Sequence, residues 1–332
     1  MGGLARKSTI LNDTKENNFN YFVVDAGNLF FKNKTINPGV ASDVAKINAE
    51  TIVSSFNKIG CDAFNVGEND FALGLEYLNE LKNNSNFPYI SANIKNTSGS
   101  FLFNPYKISE KNGVKLGIIG LSSIFKNDNI IVEDPIESLK KIIDFVDSQS
   151  DFILLLFDTI ESDLNKLHNE KLPIDFIIQS KSKKRSNDGG KKDTPVYSCG
   201  DRGKYLYEFD FLYNDIKNEF VDIAKYESTI KLIDRKINNL NKNENQDKPN
   251  TDQENHFNKL KEYNSHKKLA ENKIEIAENK IIVNKIALDK TIIDDPKILK
   301  IVDKANIKKN IINPQPKTPN PPHGHPGHRH GH

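Results

Sequence analysis

Cysteine is scarce in this chain: Cys61 and Cys199 are the only two cysteines among 332 residues. Two cysteines cannot build a framework of disulfide bonds or a zinc site with four cysteine ligands. We therefore interpret both as small buried hydrophobic side chains, which give no indication of the cellular compartment.

The sequence also lacks an excess of charge of one sign. It has 47 Lys and Arg against 45 Asp and Glu, a formal net charge of +2. A protein that gathers nucleic acid usually carries a domain-wide positive potential, which this balanced and mixed distribution cannot produce. We therefore expect no nucleic-acid partner.

Long apolar runs are absent as well. The longest are about the length of Phe152–Phe157, whereas a membrane-spanning helix needs roughly 20 apolar residues. The sequence predicts no transmembrane segment, and its first nine residues lack the apolar stretch of a secretory signal. Either the protein is cytoplasmic or its beginning is missing from this sequence.

Between Tyr21 and Tyr213, short apolar runs alternate with segments whose apolar residues recur at helical spacing. Continuous apolar runs, such as those that begin at Phe152 and Phe176, indicate strands that are covered on both faces. This alternation is typical of layered architecture. The predicted fold class is therefore α/β, with a sheet flanked by helices.

The pattern changes after Asp222. Four apolar side chains then recur at spacings of 3, 4 and 3: Ile230, Ile233, Ile237 and Leu240. A similar rhythm continues from Phe257 after a polar break at residues 241–254, which predicts an antiparallel, coiled-coil-like helical hairpin with its tip at the break. We expect residues 226–280 to be an inserted hairpin that projects from the body and offers a surface to a protein partner.

The end of the chain divides into two parts. Residues 281–288 are strand-like and return the chain to the body, and Pro296 lies near the start of a short final helix. The Pro- and His-rich residues 305–332 cannot build a core, which predicts a disordered tail. The predicted organisation is therefore a body formed by residues 1–225 and 281–304, the hairpin, and the tail.

Four stretches of the body, taken together, resemble one family. They contain the segments VDAGN (24–28), VGENDF (66–71), PYISAN (88–93) and GVKLGIIGL (113–121). In order and spacing they resemble the 5′-nucleotidase branch of the calcineurin-like metallophosphoesterases, a family of hydrolases. The opening GGLAR and residues 284–295 resemble a narrower bacterial group, the UshA-like (seleno)proteins. The resemblance implies a layered metallophosphoesterase-like sheet and a periplasmic or otherwise extracytoplasmic protein whose export signal lies outside this sequence.

Enzymes of this family hold two metal ions at the edge of the sheet. Two cations about 3.5 to 4 Å apart clamp the phosphate oxygens and generate a hydroxide nucleophile near neutral pH. The resemblance places the bridging Asp of the family on Asn28, the metal-binding Asn on Glu68, and the catalytic His on Asn69, which precedes Asp70. Asparagine has no proton that titrates near pH 7.

The remaining motifs are altered in the same way. The lone ligand His aligns with Asp158, and the Gly-His-x-His motif aligns with a segment that carries Lys181 and Lys183. The first motif, Asp-x-His, would lie upstream of Met1. Of the eight histidines only His168 lies in the globular part, so the body has no set of imidazoles to bind the family's metals. We therefore expect a vestigial pocket with no catalytic residue, and we assign no cofactor to it on this ground.

Two interpretations of this pocket are open. In the first, ammonium groups of the two lysines replace the cations, and the protein is a pseudoenzyme. In the second, oxygen atoms of Asn28, Glu68, Asp70 and Asp158 form a site for a hard cation such as Mg²⁺ or Ca²⁺. The corresponding alternative function is a metal-dependent phosphoester hydrolase that residues upstream of Met1 complete.

A dense set of possible metal ligands lies at the end of the chain: His323, His325, His328, His330 and His332. Neutral imidazoles on a flexible segment bind Zn²⁺ or Ni²⁺, although conformational entropy opposes an ordered site. Metal handling by the tail is therefore a third hypothesis, and a tail without a specific purpose is its alternative. The sequence favours the first of the three functions: a catalytically degenerate relative of 5′-nucleotidases that acts as a binding or scaffold module.

Overall fold

The computed structural model describes residues 3–17, 21–182, 194–200, 203–242 and 250–314. Its helices are α1 (Gly3–Glu16), α2 (Val40–Ile59), α3 (Gly74–Asn83), α4 (Pro135–Lys140), α5 (Ile143–Ser148), α6 (Glu161–Asn169), α7 (Ile223–Lys242), α8 (Asn250–Glu275) and α9 (Pro296–Ile312). Its strands are β1 (Val24–Asp25), β2 (Ala63–Asn65), β3 (Tyr89–Ile90), β4 (Ile94–Asn96), β5 (Tyr106–Lys111), β6 (Val114–Ser122), β7 (Ile130–Val132), β8 (Phe152–Asp158), β9 (Phe176–Ser180), β10 (Val196–Tyr197), β11 (Tyr205–Leu212), β12 (Phe220–Asp222) and β13 (Asn279–Ala287). The predicted α/β class is confirmed. None of the described helices combines the length and the apolar composition needed to cross a membrane.

Two sheets with mostly parallel strands form the centre of the described structure. The first has the order β1-β2-β3, and the second has the order β10-β9-β8-β6-β5, in which only the edge strand β5 is antiparallel to its neighbour. Every residue of β8 is buried, because this strand lies between two neighbours and is covered on both faces. The continuous apolar run that predicted a covered strand is therefore confirmed.

The two sheets approach each other closely at Gly120 of β6. Its carbonyl oxygen accepts a hydrogen bond from Ala92 N at 2.8 Å, and Asn65 donates its side-chain amide to the carbonyl oxygen of Leu121 at 2.8 Å. A Cβ atom at position 120 would lie 2.6 Å from Asn65 Oδ1 and 2.8 Å from Ile90 Cγ1. Glycine is therefore required there by the packing of the two sheets.

A third sheet, with the order β11-β13-β12, covers one face of the second sheet through aromatic side chains. The ring of Phe211 lies 4.8 Å from that of Phe152, and the ring of Phe209 lies 4.8 Å from that of Phe176. Strand β13 is antiparallel to β11 and parallel to β12. It returns the chain to the body after the helical segment, as the sequence predicted.

Helices α7 and α8 form the predicted antiparallel pair. Asp234 of α7 accepts a hydrogen bond from Lys267 of α8 at 2.8 Å, and Lys236 lies 5.5 Å from the ring centre of Tyr263. Residue numbers thus rise along one helix while they fall along its partner. Residues 243–249, at the predicted tip, lie outside the described part. Helix α8 ends at Glu275, before the expected boundary at residue 280, because residues 276–278 form a bend that leads into β13, which begins at Asn279.

The final helix is longer than predicted. Helix α9 continues to Ile312, so residues 305–312 are helical and do not belong to the disordered tail that the sequence predicted from residue 305. The physical reason is packing: apolar side chains recur at spacings of 4 and 3 and are buried on the side of α9 that packs against α1 and α2, namely Ile298, Val302 and Ala305. The five histidines of the tail lie in residues 315–332, outside the described part.

Both cysteines are free and only partly exposed. Burial raises the pKa of the Cys61 thiol well above its ordinary range and raises the pKa of Cys199 to about 11. Both thiols are therefore protonated near neutral pH. This agrees with their interpretation as small hydrophobic side chains.

Candidate functional site at the strand ends

The vestigial pocket predicted from the sequence lies where parallel strands end at the same edge. Asn28 follows β1, Glu68 follows β2, Asp158 is the last residue of β8, and Lys181 directly follows β9. The structure brings these four residues into one network of hydrogen bonds. Parallel strands present their carboxyl ends together, which is why residues far apart in sequence meet there.

Asn28 links the loops of this network. It adopts a left-handed backbone conformation with φ of 58°, which asparagine tolerates better than most residues. Its side-chain Nδ2 donates to Asp158 Oδ1 at 2.7 Å and to Ser180 Oγ at 3.4 Å. Its Oδ1 accepts a hydrogen bond from Asn69 N at 2.8 Å. The amide of Asn28 therefore uses its donor and its acceptor within the network.

Asp158 is 1% exposed, and both of its carboxylate oxygens accept hydrogen bonds. Oδ1 accepts from Asn28 and, at 2.8 Å, from Ser180 Oγ, while Oδ2 accepts from Glu68 N at 2.9 Å. A buried carboxylate is costly unless such donors compensate for the lost water. Three donors from three different segments of the chain provide that compensation here.

Asp70 is also 1% exposed and binds the backbone of two loops. Its Oδ2 accepts from Asn28 N and Gly67 N, both at 2.9 Å, and its Oδ1 accepts from Phe30 N at 3.1 Å. Burial raises the pKa of Asp70 to about 8, against the opposing effect of the hydrogen bonds from Gly67 and Phe30. The nearby charges of Asp25 and Asp158 raise it further.

Gly67 allows this close approach. A Cβ atom at position 67 would lie 2.6 Å from Asn28 Oδ1 and 2.9 Å from Asp158 Oδ2. Any other residue would therefore separate the two loops that these side chains join. The glycine of the VGENDF segment is required by the geometry of the network itself.

Glu68 and Lys181 form an ion pair at the outer side of the network. Lys181 Nζ donates to Glu68 Oε2, and Lys34 Nζ lies 3.7 Å from Glu68 Oε1. The Glu68 side chain is mostly buried, with 16% of its surface exposed. Its charge is thus balanced by two ammonium groups.

Asn69, one of the residues predicted for the pocket, has a different place. The side chain of Asn69 turns away, since its Nδ2 donates to the carbonyl oxygen of Lys32 at 2.9 Å, and only its backbone N–H joins the network. Lys183 lies outside the described residues.

Sequence reasoning missed Ser180, Lys34 and Asp25. Ser180 directly precedes Lys181 at the end of β9, and this position was a signal that could have identified it. Asp25 is the last residue of β1; its Oδ1 accepts from Gly27 N at 3.0 Å, and burial raises its pKa. Lys34 lies in a loop for which the sequence carries no comparable signal.

The residues present do not fit two bound metal ions in this arrangement. The carboxylate oxygens of Asp70 and Asp158 point at N–H and O–H donors, and Asn28 directs its NH₂ group, which cannot bind a cation, at Asp158. Within the described residues no three His, Cys, Asp or Glu side chains are arranged to hold a metal ion. The same geometry disfavours the all-oxygen Mg²⁺ or Ca²⁺ site, because three of the roughly four lone pairs on each of the Asp70 and Asp158 carboxylates already accept hydrogen bonds.

Comparison with known sequences finds relatives over about a third of the chain. The trifunctional nucleotide phosphoesterase YfkN of Bacillus subtilis (strain 168) is 34% identical over 131 residues, which cover 36% of this chain and 9% of that protein. A 5′-nucleotidase of Vibrio cholerae is 38% identical over 117 residues, or 32% of this chain and 21% of that enzyme. Protein UshA of Yersinia enterocolitica is 32% identical over 124 residues, 36% of this chain and 22% of that protein. The aligned regions thus span less than a quarter of these relatives. The chain matches no protein-family model.

Comparison with solved structures extends over more of the chain. The calcineurin-like phosphoesterase YfkN from Bacillus subtilis has a TM-score of 0.61 at 19% identity, covering 93% of this chain and 90% of that one. The 5′-nucleotidase precursor from Thermus thermophilus has a TM-score of 0.53 at 19% identity, covering 65% of this chain and 46% of that one. Likeness at this level of identity shows the fold. The chain therefore has the calcineurin-like phosphoesterase fold, and its sequence relatives support its place in the 5′-nucleotidase branch of the metallophosphoesterase superfamily.

Proposed function

We propose that this protein is a catalytically degenerate member of the 5′-nucleotidase branch that acts as a binding or scaffold module. The observation that carries the proposal is the hydrogen bond from Asn28 Nδ2 to Asp158 Oδ1 at 2.7 Å. It joins two positions at which the family resemblance expects metal ligands. An amide N–H therefore occupies the direction from which a cation would approach Asp158.

The remaining residues of the pocket support the same conclusion. A neutral amide at position 28 cannot bridge two divalent cations as a carboxylate does. The Lys181 ammonium neutralises Glu68, so that this carboxylate is not available to a cation without breaking an ion pair. Asn69 cannot act as a general acid, because its side chain has no titratable proton near pH 7 and donates to the carbonyl oxygen of Lys32.

The scaffold role rests on the helical hairpin, α7 and α8. Large apolar side chains are exposed on both helices and at the end of α8: Leu232, Phe257, Leu269 and Ile276. Apolar side chains that are exposed in this way can be covered by a protein partner. A protein partner for this hairpin is therefore part of the proposal.

A hydrolysis assay tests the catalytic half of the proposal. We expect no turnover of p-nitrophenyl phosphate or AMP above the level of the protein-free buffer when Mn²⁺ or Zn²⁺ is added. The matched variant is Asp158→Asn, which keeps the size of the side chain and removes its charge. Turnover by the wild-type protein that this variant abolishes would contradict the proposal and favour the alternative, a metal-dependent phosphoester hydrolase with a remodelled site.

A binding assay tests the proposed scaffold role of the hairpin. If the hairpin binds a protein, Phe257→Ser together with Leu269→Ser should abolish complexes that the wild-type chain forms with its own cell extract, without lowering the melting temperature. The matched control is Ile131→Ser, which removes an exposed apolar side chain from β7, away from the hairpin. Complexes that survive the double substitution and are lost with the control would place the binding surface elsewhere.

A further inference from the structure

The final helix, α9, has two faces of different chemistry. Its inner face is buried against α1 and α2 through Ile298, Val302 and Ala305. Its other side carries four exposed lysines at spacings of 3, 4 and 4, which places them along one side of a helix with 3.6 residues per turn: Lys297, Lys300, Lys304 and Lys308. We call this side the α9 outer face.

Two large apolar side chains share the α9 outer face with the lysines. Ile307 and Ile311 are one helical turn apart and are 61% and 74% exposed. Asp303 is the one acidic residue within the helix. In the part of the chain that the structure describes, none of the four lysines forms an ion pair. The face therefore combines uncompensated positive charge with exposed aliphatic side chains.

The outer face cannot turn inward, because the start of α9 is fixed to α1. Asp295 accepts hydrogen bonds from Ser8 Oγ at 2.6 Å and from Asn12 Nδ2 at 3.1 Å, and it caps the helix by accepting from Lys297 N at 2.7 Å. Lys309 shows the contrast between the two sides: it lines a cavity together with Val44 of α2, and burial lowers its pKa. The exposed position of Ile307 and Ile311 is thus a consequence of how the helix is anchored.

We propose that the α9 outer face binds the surface of an anionic lipid membrane. Lysine is depleted in protein–protein interfaces, which favour arginine and aromatic residues, and this face contains none of those favoured types. A lipid surface suits it better. Lysine side chains reach anionic headgroups with their charged ends, while aliphatic side chains between them enter the boundary with the acyl chains. The helix would lie along the surface without crossing it.

Vesicle flotation tests this proposal with the full chain, at about pH 8, where the histidines of the tail are neutral. We expect the wild-type protein to float with vesicles of phosphatidylcholine and phosphatidylglycerol and not with phosphatidylcholine alone. Added salt should weaken the binding because it screens the lysines. The variant Lys300→Gln/Lys304→Gln/Lys308→Gln should lose roughly a hundredfold in partition coefficient, since each lysine near an anionic surface contributes a factor of about five.

A matched control distinguishes the effect of the α9 outer face on vesicle binding from the effect of net charge. The variant Lys259→Gln/Lys261→Gln/Lys268→Gln changes the net charge equally on α8 and should bind like the wild type. If the α9 lysine variant fails to fold, Ile307→Ser/Ile311→Ser takes its place, with an expected loss of at least about tenfold. Equal loss in the control, equal flotation with neutral vesicles, or no flotation of the wild type would overturn the proposal. Binding of polyglutamate without vesicle binding would also overturn it and would assign the face to an acidic polypeptide.

Discussion

Asn28 donates its side-chain amide to Asp158 at 2.7 Å, across 130 positions of sequence. This contact replaces, with an N–H donor, an interaction that the family resemblance assigns to a metal ion between an Asp and a His. A hydrogen bond between an amide and a buried carboxylate contributes about 1.5 to 3 kcal/mol. The strand ends are therefore held together by the protein's own donors, and several consequences of this arrangement can be measured.

Asn28→Asp should turn the pocket from one held by an amide donor into one that needs a cation. The substitution places a second carboxylate against Asp158 and removes its amide donor, which should lower the free energy of unfolding by about 3 kcal/mol or more in the presence of EDTA. A divalent cation between the two carboxylates should recover part of that loss. Urea unfolding with EDTA and with Mn²⁺ measures both effects.

Asn28→Gly is the control for this substitution. Glycine suits the φ of 58° at this position, removes the amide, and adds no charge. Its stability should be lower than that of the wild type and should not respond to Mn²⁺. The interpretation of the pocket fails if Asn28→Asp is as stable as the wild type in EDTA, or if Mn²⁺ stabilises both variants equally.

Asp70 should make stability fall as pH rises. Its pKa in the folded protein is raised to about 8, from the ordinary value of 3.8, so the folded state holds a proton that the unfolded state has released. Between these two values the unfolding free energy should therefore decrease with pH, by at most about 1.4 kcal/mol per unit. Below about pH 4 both states are protonated, and the contribution is fully present.

Asp70→Asn isolates this contribution, because asparagine does not titrate. In urea unfolding, the unfolding free energy of the wild type minus that of the variant should decrease from about pH 4 to about pH 8, because only the wild type titrates. If this value, wild type minus variant, instead increased with pH, the backbone donors of Gly67 and Phe30 would stabilise the ionised carboxylate more than burial destabilises it.

The location of the pocket could be predicted from the sequence, whereas its internal contacts could not. The strand that ends in Asp158 was visible as a continuous apolar run, and parallel strands end at a common edge. The hydrogen bond from Asn28 depends on the backbone conformation of one residue, which no periodic pattern encodes. The ion pair of Glu68 with Lys181 depends on two side chains that meet only after the sheet has formed.

The length of α9 was missed for a related reason. The spacing of Ile298, Val302 and Ala305 is visible in the sequence, but the surface that buries this side of the helix is formed by α1 and α2, which lie near the other end of the chain. The prediction of where the helix ends therefore followed the Pro-rich composition of the next residues and not a helical pattern whose packing partner could not be seen in the sequence. Long-range packing decided where the ordered chain ends.

Replacement of the hairpin should leave the body folded. Strands β12 and β13 are parallel, so the connection between them must cross over and needs about a dozen residues. A Gly-Ser linker of that length in place of residues 226–275 should preserve a single cooperative thermal transition, with little change in melting temperature. Loss of cooperativity would show that α7 and α8 belong to the core.

The deletion must spare Asn279, which is completely buried. Its Nδ2 donates to the carbonyl oxygens of Asp215 and Asn218 at 2.7 and 2.8 Å, and its Oδ1 accepts from Asn214 N at 3.1 Å. Asn279→Ala in the full chain should therefore lower the unfolding free energy by about 2 to 3 kcal/mol. The contrast between this single substitution and the large deletion distinguishes the body from the hairpin.

The histidines of the tail should bind metal without any help from the body. Truncation after Pro314 keeps α9 intact, since the helix ends at Ile312 and Asn313 N donates to the carbonyl oxygen of Lys309. The truncated chain should lose most of its Ni²⁺ or Zn²⁺ uptake in an equilibrium titration near pH 7.5 while its melting temperature stays the same. Binding by the full chain should fade below about pH 6.5, because protons compete with the metal for imidazole. Stoichiometric uptake by the truncated chain would contradict this prediction. It would require ligands from the body, and Glu68→Ala in the truncated chain would then show whether the pocket provides them.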